Sequence, residues 1–194
     1  MVEILALMMR LEALKRTART GWNMKFPPGH AMQSRSVPEA ESVADHSWSL
    51  AMFAFAVATK LGLDAAKMVT MAIVHDIAEC ITTDIVTATL TLEERRWVKA
   101  EKRIREDAAM RDLFLSHGDF GATCYALWLE YEEGTSEEAR ILAQLDKLEC
   151  AMQAVCYKEQ GHESRPEEFL AFTRANITHP GLLKMLTALE KVNE

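Results

Sequence analysis

Between Ser42 and Ile81 the chain carries two apolar runs of helical length, interrupted only at Gly62-Leu63-Asp64. Two such runs must bury their apolar sides against the rest of the chain, and make a largely helical domain the default. The first, Trp48 to Leu61, is apolar almost all round and predicts a central buried helix. Ser42 stands at its N-cap position, with Asp45 three residues on as a shorter version of the capping-box Glu. Gly62 ends this helix, and Asp64 caps a second one predicted over 65–81. That second run holds Ala72-Ile-Val-His75-Asp76-Ile-Ala-Glu79, which has no obvious place in an apolar helix. Burying an unpaired charge there costs several kcal/mol, in rough terms, so something compensates these groups. A divalent cation does so economically, because imidazole and carboxylate are both good ligands. The alternative is an ordinary salt bridge at a solvated helix end. Glu79 lies one helical turn beyond His75 on the same face, within reach of a metal-bound water without being a ligand.

The remaining segments agree with an all-α reading. With 49% hydrophobic residues and only 8 Gly and 5 Pro in 194, the chain predicts a single domain over 1–194 with few tight turns. Ile4, Leu7, Met8, Leu11 and Leu14 predict an amphipathic helix over 3–19, stopped by Gly21. Residues 22–40 hold Pro27, Pro28, Gly29 and Pro38 without periodicity and predict a long loop, either a substrate-facing wall or a surface excursion. Residues 82–89 read as a connecting segment. Asp84 within it is either a turn former or a second functional carboxylate. Thr91 caps a charged helix predicted over 92–115, whose charges read as a solvated face. Further helices are predicted over 120–132 and 136–160, then two short ones separated near His179-Pro180-Gly181. Asp146, amid the apolar stripe of the 136–160 helix, needs a partner, and Lys147 beside it is one option. His46, in the first turns of its helix, reads by itself as a satisfied core histidine rather than as a ligand.

A net charge of -7 argues against binding polymeric nucleic acid or an anionic membrane surface, since such binders cluster Lys and Arg. A small anionic substrate stays open. Cys80, Cys124, Cys150 and Cys156 form no Cys-x-x-Cys pair and read as reduced residues of a cytoplasmic protein. The apolar start of the chain is too short to span a bilayer and has no leader pattern.

His46, His75, Asp76 and Asp146 fall on three different predicted helices, and two imidazoles with two carboxylates suit one divalent transition metal. This H…HD…D order resembles the HD-domain superfamily. Four blocks resemble its 5′-deoxynucleotidases in particular: Arg19-Thr-Gly-Trp22, Glu41-Ser-Val-Ala-Asp-His46, Ala72 to Cys80 with Asp84 following, and Gln144-Leu-Asp146-Lys-Leu-Glu149. The resemblance runs from about residue 8 to about residue 160. It implies an HD-domain helical bundle that forms a homodimer, holds one divalent cation (Mn, Co, Fe, Ni, Zn or Mg) and removes phosphate from deoxyribonucleoside 5′-monophosphates. By that matching His46, His75, Asp76 and Asp146 are the metal ligands, and Glu79 orients or deprotonates the attacking water. Asp84 assists near the leaving oxygen, while Arg19, Trp22 and Arg35 contact the nucleotide. The chain departs from the pattern at about 23–34, a loop insertion next to the substrate-contacting segment. Only His117 lies between the His-Asp pair and Asp146, which argues against a two-metal HD site, and Glu79-Cys80 replaces the Glu-Asp of the guanosine-tetraphosphate hydrolases. Nucleoside triphosphates or nucleotide analogues, and a non-catalytic metal- or nucleotide-binding role, are the competing readings.

Overall fold

The computed structural model describes residues 2–27, 30, 32–86 and 90–193, apart from the side chain of residue 92. Pro28 and Gly29 of the predicted loop, and 87–89 of the predicted connecting segment, lie outside the described residues. Among those described, every named element is helical, and the extended contacts are two isolated bridges, Ala18 to Ser42 and Ser36 to Glu163. The α-helices are α1 (Val2–Leu11), α2 (Val43–Leu61), α3 (Ala65–Val74), α4 (Glu79–Thr82), α5 (Leu92–Phe114), α6 (Gly118–Glu133), α7 (Glu137–Glu159), α8 (Pro166–Asn176) and α9 (Pro180–Asn193).

The helix ends follow local chemistry. Ser42 Oγ accepts from the Asp45 N–H at 3.2 Å while the Ser42 N–H donates to Asp45 Oδ2 at 2.8 Å, the reciprocal pair expected for α2. Thr91 and Glu94 close the same motif on α5. Asp64 accepts from Lys67 N–H at 2.9 Å, and Ser136 Oγ accepts from Ala139 N–H at 3.1 Å. Gly62 ends α2 at φ +73°, a left-handed conformation that a side chain would disfavour.

Helix α7 is the central strut: it packs on α2, α3, α6, α8 and α9. Its Leu142, Leu145, Leu148 and Ala151 interlock with Leu50, Ala54 and Ala58 of α2 and with Met68, Met71 and Ala72 of α3. Leu170, Leu182 and Leu186 close that core from the C-terminal side. A second core joins Leu7, Leu14, Val74 and Ile77 to Met110, Leu113, Phe114 and Trp128. Trp22, Val37, Ala154 and Tyr157 form a third, smaller cluster.

Three expectations need correction. The helix predicted over 3–19 ends at Leu11, tightens into a 3-10 turn over Glu12–Lys15, and the chain then extends so that Val43 N–H reaches Thr17 O at 2.9 Å. Leu7 and Leu14 are buried, but Ile4 and Met8 of the predicted apolar face are exposed. The helix predicted over 65–81 is broken: α3 stops at Val74, and Ile77, Glu79 and Cys80 N–H groups bond three residues back, to Val74, Asp76 and Ile77. The cause lies in the His75 side chain, whose Nδ1 pairs with the Ala72 carbonyl at 2.8 Å, the acceptor a continuous helix would give to residue 76. Finally, α2 is not buried all round. Trp48, Met52 and Phe55, at i, i+4 and i+7, lie on an exposed stripe.

Candidate metal centre and cleft

His46 comes from the first turn of α2 and is fully buried. Its Nδ1 lies 2.7 Å from Glu149 Oε2, a carboxylate with 0% exposure on α7. The ring's other nitrogen, Nε2, is 3.1 Å from Asp146 Oδ1. His75, at the break after α3, repeats the arrangement: Nδ1 is held by the Ala72 carbonyl, and Nε2 is 3.0 Å from Asp76 Oδ2. The two rings are 5.4 Å apart between centroids. Both Nε2 atoms are buried yet make no aligned hydrogen bond, so the neighbouring carboxylate oxygens are close but off the N–H direction. Groups that sit side by side and aim at a common point, rather than at one another, have the geometry of ligands to a shared ion. Each Nδ1 is occupied, which leaves Nε2 to present the lone pair.

Ligand atoms of His46, His75 and Asp76 fall within 4.8 Å of one another, and so do those of His46, Asp146 and Cys150. The two groups share His46, so the four residues matched to the HD pattern converge on one place. Two imidazoles and two carboxylates fit Mn, Fe, Co, Ni or Zn. The donor set is therefore consistent with a divalent cation. A third overlapping group, Glu41, His46 and Glu149, lies on the Nδ1 side of the same ring. Lys147 takes no part: its Nζ donates to Ala143 O at 2.7 Å, so the ion-pair option for Asp146 is not realised.

The electrostatics follow from this crowding. Burial opposes ionisation of Asp76, but His75, Arg19 and His46 outweigh it and hold the carboxyl well below the usual range. Asp146 is held low in the same way, mainly by His46 against its burial. Burial and Arg19 disfavour a charged His46, yet Asp146 and Glu149 prevail and raise it to about 10 without an ion. Burial and the Asp76 charge push Glu79 up to about 9, against the pull of Lys102.

A cleft of about 620 Å³ opens over this place. Its lining includes the charged Asp76, Asp146, Glu79, Asp84, Arg19 and Lys102 and the apolar Trp22, Met32, Val86, Phe169 and Phe172. Arg19 reaches Asp76 at 3.4 Å and donates to Cys150 Sγ at 3.0 Å. Thr83 takes a left-handed φ of +63°, strained for a β-branched residue, and turns Asp84 toward Thr20, whose N–H donates to it at 2.7 Å. Trp22 is a wall rather than an open contact: only 2% exposed, it stacks on Phe169 at 4.8 Å and donates Nε1–H to Glu41 at 3.0 Å. Arg35 is also buried, paired with Glu168 and donating to Gly21 O at 3.2 Å. The insertion is pinned at its start by Asn23 on Val37 and near its end by Gln33 N–H on Glu168 at 3.1 Å, and Met32 beside it lines the cleft.

An HD-domain family model matches residues 11–181. The chain belongs to the HD-domain family. Among relatives of this HD-domain chain, 5′-deoxynucleotidase HDDC2 of Danio rerio is 34% identical over 193 residues, covering 98% of this chain and 88% of the relative. The Homo sapiens protein of the same name is 35% identical over 179 residues, covering 91% and 79%. Solved structures of a Pyrococcus horikoshii protein and a conserved hypothetical Pyrococcus furiosus protein each superpose with TM-score 0.71. Their identities are 29% and 26%, and they cover 97% and 96% of this chain and 99% of their own.

Sequence reasoning missed Glu149, Glu41, Lys102 and Cys150, and the cleft-facing Phe169 and Phe172 of α8. Glu149 carried a signal, a charged residue within the apolar stripe of α7. Lys102 carried none, being one of many charges on α5.

Proposed function

We propose that this chain is a metal-dependent phosphohydrolase that removes the 5′-phosphate from deoxyribonucleoside 5′-monophosphates, acting as one HD domain over 1–194 in the cytoplasm. The observation that carries this reading is the pair of buried Nε2 atoms, each with its opposite nitrogen anchored, meeting Asp76 and Asp146 at the floor of the cleft. The names of the relatives supply the substrate class.

In this reading His46, His75, Asp76 and Asp146 hold one divalent cation. When bound, the cation offers Lewis acidity to the phosphoryl oxygens and lowers the pKa of a coordinated water to roughly 7–9. Glu79 would take the proton from the attacking water through Oε2, which is buried and has no partner of its own, in the ionised form that Lys102 favours and that a bound cation would favour by offsetting the Asp76 charge. The P–O5′ bond would break as the water oxygen bonds to phosphorus, and the proton taken from the water would pass to the departing O5′, beside Asp84, so that it leaves as the nucleoside hydroxyl. Arg19 adds charge complementary to the phosphate, and Trp22 and Arg35 shape the wall against which sugar and base lie. Met32 extends that wall from the insertion.

The homodimer is supported by the exposed apolar stripe on α2, with Trp48 at 70% and Met52 and Phe55 each at 54% exposure, a surface that a second copy would cover. Among the described residues no helix is long and apolar enough to cross a membrane.

The test is phosphate release from deoxy- and ribonucleoside mono- and triphosphates by metal-stripped protein with single cations added back. Deoxymonophosphates should turn over with metal, and Glu79→Gln should lose about 10²–10⁴ in kcat. Turnover of triphosphates alone would move the substrate assignment to the insertion-built wall.

A further inference from the structure

Charged helix α5 reads from sequence as a solvated face, but its Lys102 leaves that face. The Lys102 side chain is about one-fifth exposed and lines the cleft. Its Nζ donates to Glu79 Oε1 at 3.0 Å and lies 3.3 Å from Glu106 Oε1. Glu79 is 1% exposed, and its second oxygen, Oε2, is buried without a partner. Glu79 sits on α4, a helix of four residues beginning just after the tightened turn, and α4 packs on α5. So short a helix cannot by itself hold a side chain in one rotamer, and an ion pair from a 23-residue helix can.

We propose that Lys102 is a positioning residue for the reaction: it clamps Glu79 Oε1 so that Oε2 alone is presented to the attacking water. This rests on the phosphohydrolase reading above. Glu106, one turn further along α5, is a second carboxylate on the same ammonium and restrains it further. The nearby charges fit the same picture. Burial, Asp76 and Asp84 all disfavour the Glu79 carboxylate, and Lys102 is the cation that works against them. Lys102 touches neither substrate nor cation in this role, and its effect passes through the orientation of Glu79.

The test compares wild type, Lys102→Met, Lys102→Arg, Glu79→Gln and the Lys102→Met/Glu79→Gln double variant, each metal-loaded, with a deoxynucleoside monophosphate. Circular dichroism and thermal melting check that each is folded, and Lys102→Arg covers the case in which the methionine variant is not. Misplacing one group by about 1 Å is worth roughly 10² in rate, so Lys102→Met should lose ten- to a hundredfold in kcat with KM within about twofold. Lys102→Arg should restore most of that loss. Adding Lys102→Met to Glu79→Gln should cost little more, because the clamp has then lost what it holds. Wild-type kcat in Lys102→Met, or full additivity in the double variant, would overturn the proposal. A loss confined to KM would also overturn it, by placing Lys102 on the substrate phosphate. Silence of wild type on every nucleotide would remove the parent reading and this role with it, whereas an active wild type with an unaffected Lys102→Met would remove this role alone.

Discussion

Metal uptake by this protein should release protons, and the first of them comes from one histidine. In the metal-free protein Asp146 and Glu149 hold a proton on His46, raising it to about 10 against burial and Arg19. A cation that takes His46 Nε2 has to displace that proton, while Asp76 and Asp146 are already ionised and release none. At about pH 8 the displacement spans two pKa units, or about 3 kcal/mol of apparent affinity at 1.36 kcal/mol per unit. Apparent affinity should therefore rise close to tenfold per pH unit from about pH 7.5 to about pH 9 and level off above about 10. Titration calorimetry of stripped protein with Mn or Zn, in buffers of differing ionisation enthalpy, counts the proton directly. At least one proton, from His46, is expected at about pH 8, with a further fraction from Glu79 as the ion offsets the Asp76 charge that helps raise it to about 9. No proton release, with affinity flat across that range, would refute the reasoning, because His46 would then be neutral before the ion arrives or not a ligand at all. The same pairing acts on folding. His46 is raised above its unfolded value, so in the metal-free protein its contribution is full below about pH 6.5 and is lost as pH climbs through about 10.

Other outcomes follow from single contacts. Glu168→Ala removes the partner of the buried Arg35 and the tie on Gln33, so it should change relative rates over a nucleotide panel while leaving cation affinity within about twofold. Leu142→Ala, at a position with 0% exposure where α7 meets α2 and α3, should destabilise the fold by about 2–5 kcal/mol in urea titration. Trp48→Glu should shift the proposed homodimer to monomer in sedimentation with helicity by circular dichroism unchanged, since Trp48 is 70% exposed within one chain, and its melting temperature should no longer depend on protein concentration.

The helix plan was legible because its signals are local. Ser42, Asp64, Thr91 and Ser136 cap, and Gly62 and Gly134 stop, within one turn of the residues they serve. The break after Val74 was not legible, because it depends on where the His75 ring finds an acceptor, and periodicity carries no information about that. The exposed face of α2 escaped for a related reason: a run apolar all round cannot say which side a neighbour will leave uncovered. Among site residues, His46, His75, Asp76 and Asp146 stood out as ligand types in apolar surroundings, and the structure brings them together through His46. Lys102 did not stand out, since on a helix crowded with Glu, Lys and Arg only the packing of α4 selects which charge turns inward. Arg35 and Trp22 were expected as nucleotide contacts; both line the cleft, packed into its wall by Glu168 and Phe169 of α8, a helix beyond the motif blocks read from the sequence.

The most direct test of the central claim is where a single ion binds. Anomalous diffraction from crystals grown with Mn should show one peak per chain, bounded by His46 Nε2, His75 Nε2 and the Asp76 and Asp146 carboxylates. A peak on the other side of the His46 ring, between Glu41 and Glu149, would contradict the account, as would one at Cys150 that leaves out His75 and Asp76.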